Sequence, residues 1–123
     1  MTRRDSRDYL QDILTHIAAA ERFVDGMAFD EFEADEKTIF ALTRAIEVIG
    51  EATKKLPTSL TEPYPDIPWK GITGMRDKLI HAYFGVKLDV LWTTCQQDLQ
   101  RLKPIIQAML NQAENDAQES DKS

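Results

Sequence analysis

With 123 residues, 42% of them hydrophobic and 29% charged, the chain holds enough apolar material for one core and too little length for two domains. Its net charge of −6 argues against general nucleic-acid binding, because Lys and Arg that neutralise phosphates supply most nonspecific affinity. No apolar run approaches the ~18–20 residues that cross a bilayer, and the opening Met1-Thr-Arg-Arg-Asp-Ser-Arg leads into a charged amphipathic pattern instead of a signal-peptide core, so a cytoplasmic protein is expected.

The charge is unevenly spread. Asp30, Glu31, Glu33, Asp35 and Glu36 contribute −5 and residues 114–123 contribute −3, which leaves +2 for the rest. Lys70, Arg76, Lys78 and Lys87 face only Asp77 within residues 69–87, so an anion could find a locally positive surface there.

Asp5 or Ser6 can cap a first helix, in which Leu10, Ile13, Leu14, Ile17 and Val24 recur at threes and fours before Gly26 ends it. His16 lies at the edge of that stripe and reads as a packed or surface residue before a ligand. Residues 29–36 read as a short acidic connector with room for one turn of helix, pinned by Phe29 and Phe32. Asp35 then offers the cap of a second helix with Ile39, Leu42, Ile46, Ile49, Thr53 and Leu56 inward. Gly50 in its interior costs about 1 kcal/mol against alanine, which points to a close-passing backbone. Glu47 and Glu51 could pair as carboxylates, but Arg44 and Lys55 within one turn favour surface ion pairs.

Pro57 ends this helix, and four prolines among residues 57–68 exclude a long regular element. Pro68 suits the first position of a third helix, which Gly85 closes. Asp89 can cap the last helix, along which Trp92, Cys95, Leu99, Leu102, Ile106, Met109 and Ala113 repeat. Pro104 should kink or restart it. Cys95, the single cysteine, falls in phase with that stripe and reads as a small core residue. The expectation is an all-α, up-and-down four-helix bundle with a short extra turn in the proline-rich connector. Residues 1–113 form its one domain, and residues 114–123 an acidic tail that frays. No Gly-rich phosphate loop, metal-ligand spacing or nucleophile elbow appears, and no cofactor is called for.

Arg76 is the residue a plain bundle would not choose. At ~100° per residue it falls in the middle of the apolar stripe made by Ile72, Leu79, Ile80 and Tyr83. An always-charged guanidinium there requires a carboxylate, a phosphate or a subunit boundary. A buried pair with Glu47 or Glu51 is the purely structural option. His81 lies five residues on, ~140° around the helix and ~7.5 Å along it, and shares a face with Asp77. A site using both Arg76 and His81 needs the Arg to wrap or a second copy of the helix across a two-fold axis. Histidine suits proton transfer near neutral pH, and arginine suits a phosphodiester gaining charge. Together they fit metal-independent RNA cleavage, in which the 2′-OH attacks the neighbouring phosphate.

The run Tyr64-Pro-Asp-Ile-Pro-Trp-Lys-Gly-Ile-Thr-Gly-Met-Arg-Asp-Lys-Leu-Ile-His-Ala-Tyr-Phe resembles the signature of the HepT-like family within the HEPN superfamily, whose toxins carry R-x-x-x-x-H-x-Y. Arg76, His81 and Tyr83 match its fixed positions. Ile49-Gly50-Glu51-Ala52, Leu91-Trp92 and Asp98-Leu99 extend the likeness over residues 8–106. The resemblance implies a HEPN-type homodimer with the motif helices at its interface, acting as a metal-independent ribonuclease toxin on RNA. It implies that Arg76 orients and neutralises the scissile phosphate, that His81 is the general acid or base, and that Asp77 is the polar helper. It also implies an antitoxin partner, the nucleotidyltransferase MntA, which transfers AMP from ATP to the motif tyrosine, here Tyr83. Asp77 departs from the Asn often found at its position, and a carboxylate beside a phosphate requires a partner of its own. A noncatalytic HEPN module that binds a nucleotide or a nucleotidyltransferase partner is the alternative, and a purely structural bundle the third reading.

Overall fold

The computed structural model describes the backbone of residues 4–81 and 87–122, and the side chains of residues 4–75 and 87–119. In chain order the described residues form α1 (Ser6–Val24), α2 (Phe29–Glu33), α3 (Glu36–Lys54), α4 (Thr58–Thr61), α5 (Trp69–His81), α6 (Leu88–Thr93), a π-helical turn (Thr94–Asp98) and α7 (Leu99–Lys122). α6, the π turn and α7 follow without a break, so the last arm of the bundle is one rod with a π turn inside it. α2 is the turn expected in the acidic connector, and α4 is the one expected among the prolines.

The helix starts follow the capping chemistry in the sequence. The Asp5 carboxylate accepts the N–H groups of Arg7 at 2.9 Å and Asp8 at 3.3 Å, while Asp8 accepts the Asp5 N–H at 3.0 Å. Asp35 accepts the Thr38 N–H at 3.1 Å at the head of α3. Each carboxylate satisfies donors that a first helical turn leaves without intrahelical partners. Gly26 follows α1 with φ of 75°, a left-handed conformation that a side chain would disfavour.

α1 lies between α3 and α7. Leu10, Ile13, Ile17 and Ala20 of α1, Leu42 and Ile49 of α3, and Leu99, Leu102 and Ile106 of α7 are shielded from water almost completely. Residues three and four apart share one face of a helix, so each of these stripes drains into the same core. Thr53, the polar member of the α3 stripe, is buried and donates its hydroxyl to the Ile49 carbonyl at 2.7 Å. His16 is half-buried with Nδ1 2.8 Å from the Asp12 carbonyl, a packed residue as expected. Lys103 joins α7 to Glu21 of α1 at 2.9 Å. No helix among the described residues is long and apolar enough to cross a membrane.

Four details differ from the sequence expectations. Lys87, not Asp89, occupies the cap of α6, and Asp89 sits in the first turn, where its charge still suits the positive helix end. α5 begins at Trp69, one residue after Pro68. α7 does not restart at Pro104 but runs through it; Gln100, whose carbonyl loses its i+4 donor, is exposed, and water can reach it. Past Ala113 the backbone remains helical to Lys122, although residues 114–119 include none that is buried. Ala, Gln and Glu are good helix formers, and lengthening an existing helix needs no new nucleus.

Candidate active site

The approach to the motif helix is fixed by local bonds. The Trp69 indole N–H donates to the Tyr64 carbonyl at 2.9 Å, and the Ile72 N–H donates to the Pro68 carbonyl at 3.0 Å, opening α5 immediately after the proline. Ile67 and Ile72 are buried, and Trp69 and Met75 pack half-buried against the same core. Arg101 of α7 reaches back to the Asp66 carbonyl at 3.2 Å. The proline-rich connector is therefore tied down at its end, and α5 leaves it in a set direction.

α5 packs against α3. Ile72, Met75 and Gly71 meet Ile46 and Ile49 of α3 around a cavity of about 140 Å³, whose third side is Thr94, Asp98 and Leu99. α6 follows closely after α5 and stacks Trp92 on Phe29 and Phe32 of α2, with ring centroids 5.9 and 5.2 Å apart. α2 in turn leads into α3 through Ala34 and the Asp35 cap.

Arg76, Asp77 and His81 all lie on α5, directly beyond the packed segment that ends at Met75. Their side chains lie outside the described residues, as do Tyr83 and the expected terminator Gly85 in full. The helical backbone through His81 sets the spacing: Arg76 and His81 are separated by ~140° and ~7.5 Å, whereas Asp77 and His81 occupy one face a turn apart. Gly50 is buried in α3, the helix that α5 packs on. Arg44 pairs with Glu47 at 3.3 Å, the surface ion pair expected there.

One feature of this region had no signal in the sequence. In the π turn the Leu99 N–H bonds the Thr94 carbonyl, one residue further back than in an α-helix. Neither Gly nor Pro falls within Thr94–Asp98, and the alternating apolar spacing runs through it unaltered. Asp98, half-buried on the turn, joins Asp89, Val90, Thr93 and Thr94 around a second cavity of about 240 Å³ that also touches Met75. Cys95 on the same turn is buried, and burial, aided by the Glu21 carboxylate, pushes its thiol up to about 11. At neutral pH it stays protonated, which suits a packing residue and not a nucleophile.

The family model described as Ribonuclease HepT-like matches residues 13–109, a stretch that holds α5 and the whole Arg76–Tyr83 spacing. This chain belongs to the ribonuclease HepT-like family. Its likeness to curated HepT-like proteins is high over nearly their full length. A Thermococcus cleftensis protein named "Probable ribonuclease HepT" is 48% identical over 101 residues, covering 82% of this chain and 92% of that protein. A Methanocaldococcus jannaschii protein named as a "Putative RNase" is 40% identical over 119 residues, with 94% and 98% of the two chains covered. Another of that description, from Caldanaerobacter subterraneus subsp. tengcongensis, is 39% identical over 104 residues, 85% of this chain and 93% of its own. No solved structure matches this chain. The all-helical bundle with its short connector turn is consistent with the HEPN fold implied by the motif.

Proposed function

We propose that this HepT-like protein is a metal-independent endoribonuclease, the toxin of a toxin–antitoxin pair, silenced by transfer of AMP to Tyr83. The observation that carries the reading is the placement of Arg76 and His81 on a single helix that emerges from a fixed, packed segment, in a chain whose family is one of ribonucleases.

In the reaction, His81 removes the proton from an RNA 2′-OH as that oxygen attacks the adjacent phosphorus. The bond to the 5′-oxygen breaks, and a proton is delivered to it by a general acid. The products are a 2′,3′-cyclic phosphate and a 5′-hydroxyl. Arg76 holds the nonbridging oxygens with its fork of N–H donors while negative charge builds on them. Asp77 shares the His81 face and acts as the polar helper that steadies the imidazole. Because one helix holds Arg76 and His81 ~140° apart, a second copy across a two-fold axis supplies the complementary half of each site, and its His81 can serve as the acid.

Regulation follows from the place of Tyr83 in the motif, seven residues after Arg76. In the silencing step the Tyr83 hydroxyl oxygen attacks the α-phosphorus of ATP, pyrophosphate leaves, and the phenolic proton passes to a base of the nucleotidyltransferase. The phosphodiester so formed can occupy Arg76 in place of substrate.

Purified protein incubated with RNA and a chelator should give fragments ending in 2′,3′-cyclic phosphate. An absence of cleavage, or fragments ending in 3′-hydroxyl, would refute the nuclease reading and favour a noncatalytic module. Coexpression with the cognate MntA-like nucleotidyltransferase should add AMP to Tyr83 and remove toxicity, while Tyr83→Phe should stay toxic and escape the antidote. Modification found at Tyr9 or Tyr64 instead would overturn the regulatory assignment.

A further inference from the structure

The two cavities beside the motif helix share one wall. The first, of about 140 Å³, and the second, of about 240 Å³, both touch Met75, Thr94 and Asp98. Together they reach the lower end of the roughly 300–1,000 Å³ typical of small-ligand sites. Ile46, Ile49 and Ile72 make the first largely apolar, while the shared wall brings a hydroxyl and a carboxylate about one turn apart on the π turn. Thr94 is only 5% exposed, and among the described residues neither its hydroxyl nor the Asp98 carboxylate has a hydrogen-bond or ion-pair partner. No side-chain oxygen among the described residues is both sealed from water and unpaired, so the Thr94 hydroxyl opens onto the cavities it lines. Polar groups left unpaired in a largely apolar recess, on a π turn that neither Gly nor Pro causes, mark a place kept for a ligand.

We propose that this recess reads the base of the nucleotide whose 2′-OH attacks, and that the base is guanine. The proposal rests on the ribonuclease reading above and adds a specificity to it. A carboxylate only accepts hydrogen bonds. Guanine alone among the four bases sets two donors, N1–H and N2–H, side by side on its pairing edge, where the two Asp98 oxygens can take them. Adenine and cytosine offer one amino group beside a ring-nitrogen acceptor, which a carboxylate repels, and uracil offers one N–H between two carbonyls. The Thr94 hydroxyl, beside Asp98, can donate to guanine O6. Ile46, Ile49, Ile72 and Met75 supply apolar surface for the flat ring. Specific reading of RNA works in this manner, on single strands whose bases are turned out of the stack. The location fits the chemistry. Arg76 follows Met75 directly and lies ~100° around α5 from it, so a nucleotide with its base against Met75 carries its scissile phosphate round the helix toward the Arg76 position. Base, 2′-OH and that phosphate belong to one nucleotide, and holding the base therefore fixes the hydroxyl for attack.

Binding and cleavage by the intact chain test the recess separately. Guanosine 2′,3′-cyclic monophosphate, followed by nuclear magnetic resonance titration, should bind at least about tenfold more tightly than its adenosine counterpart and shift the amide signals of Thr94 and Asp98. RNA of random sequence, cut in the presence of a chelator, should yield cyclic-phosphate ends that carry guanine at least about tenfold more often than any other base. Asp98→Asn, which sets an amide N–H against the guanine donors, should remove both preferences. Thr94→Val, of the same shape, should reduce them by about threefold to tenfold and leave stability in urea unaltered or higher, because it removes a hydroxyl that bonds nothing among the described residues. A threonine that served packing alone would leave the preferences unmoved. Equal binding of the two nucleotides, cut ends without base preference, or preferences that survive Asp98→Asn would each overturn the proposal. The ribonuclease reading fails on a different result. Guanine-selective binding that Asp98→Asn abolishes, in a chain that cuts no RNA, supports the recess and removes the nuclease, whereas cleavage without base preference keeps the nuclease and removes the recess.

Discussion

α1 and α5 are both amphipathic helices of one small bundle, yet they are held in place by different means. α1 is capped by a reciprocal Asp5–Asp8 box and buries Leu10, Ile13, Ile17, Ala20 and Val24 along one unbroken stripe between two other helices. Over residues 69–75 of α5 only Ile72 is buried, and the helix depends on the tied connector before it. Beyond Met75 its sequence places Arg76 where α1 would place a leucine or isoleucine. A stripe devoted to core packing fixes the fold, whereas one that spends a central position on a guanidinium gives up packing for a charge that must find an anion or a boundary. Under the proposed ribonuclease reading, the chemistry sits on the helix whose described side chains, residues 69–75, bury only Ile72, on a platform made by the other helices.

The sharpest way to break this comparison is to remove chemistry without touching packing. Arg76→Ala and His81→Ala should each lower RNA cleavage by at least about a hundredfold, and abolish growth inhibition, with helical circular dichroism and solution mass the same as the unaltered protein's. Full activity in either variant would mean that α5 is an ordinary packed helix. The converse change should act on stability alone. Leu102→Ala, at a fully buried position of α7, should cost about 2–5 kcal/mol in urea denaturation through lost burial and a residual cavity. Lys70→Ala, exposed on α5, should move stability by no more than about 0.5 kcal/mol.

The smallest effect belongs to Cys95, on the π turn between the two regions. Its thiol ordinarily ionises near 9.0 and is raised to about 11 by burial in the fold. Folding therefore favours the protonated thiol. That contribution is fully present below pH 9 and is lost as the pH rises toward 11. Thermal unfolding of the unaltered protein should fall more steeply across this window than that of Cys95→Ala, which lacks the titrating group. Parallel curves would show that the thiol gains no protection from its burial.

Much of this protein is determined locally and is legible in its residues. Asp5 and Asp35 cap the helices they precede because a short carboxylate can reach the free N–H groups of the next turn. The apolar spacing of α1, α3 and α7 identifies the core because a helix buries only one face. Pro57 and Pro68 bound the connector for a similarly local reason, the missing N–H and fixed φ of the ring. The spacing Arg76, His81, Tyr83 and its likeness to the HepT-like motif were equally visible, since they concern residue types at fixed intervals. Other features depend on what the helix meets. Asp89 had the right chemistry for a cap but lies in the first turn of α6, whose cap is Lys87. The π turn at Thr94–Asp98 left no trace in composition, since an extra residue in a helical turn is a matter of register against α1 and α5, not of propensity. Nor could periodicity say that Phe40 of α3 would be left facing outward. A wheel reports which face a residue takes, but only the packing of α3 against α1 and α5 decides which faces are already covered.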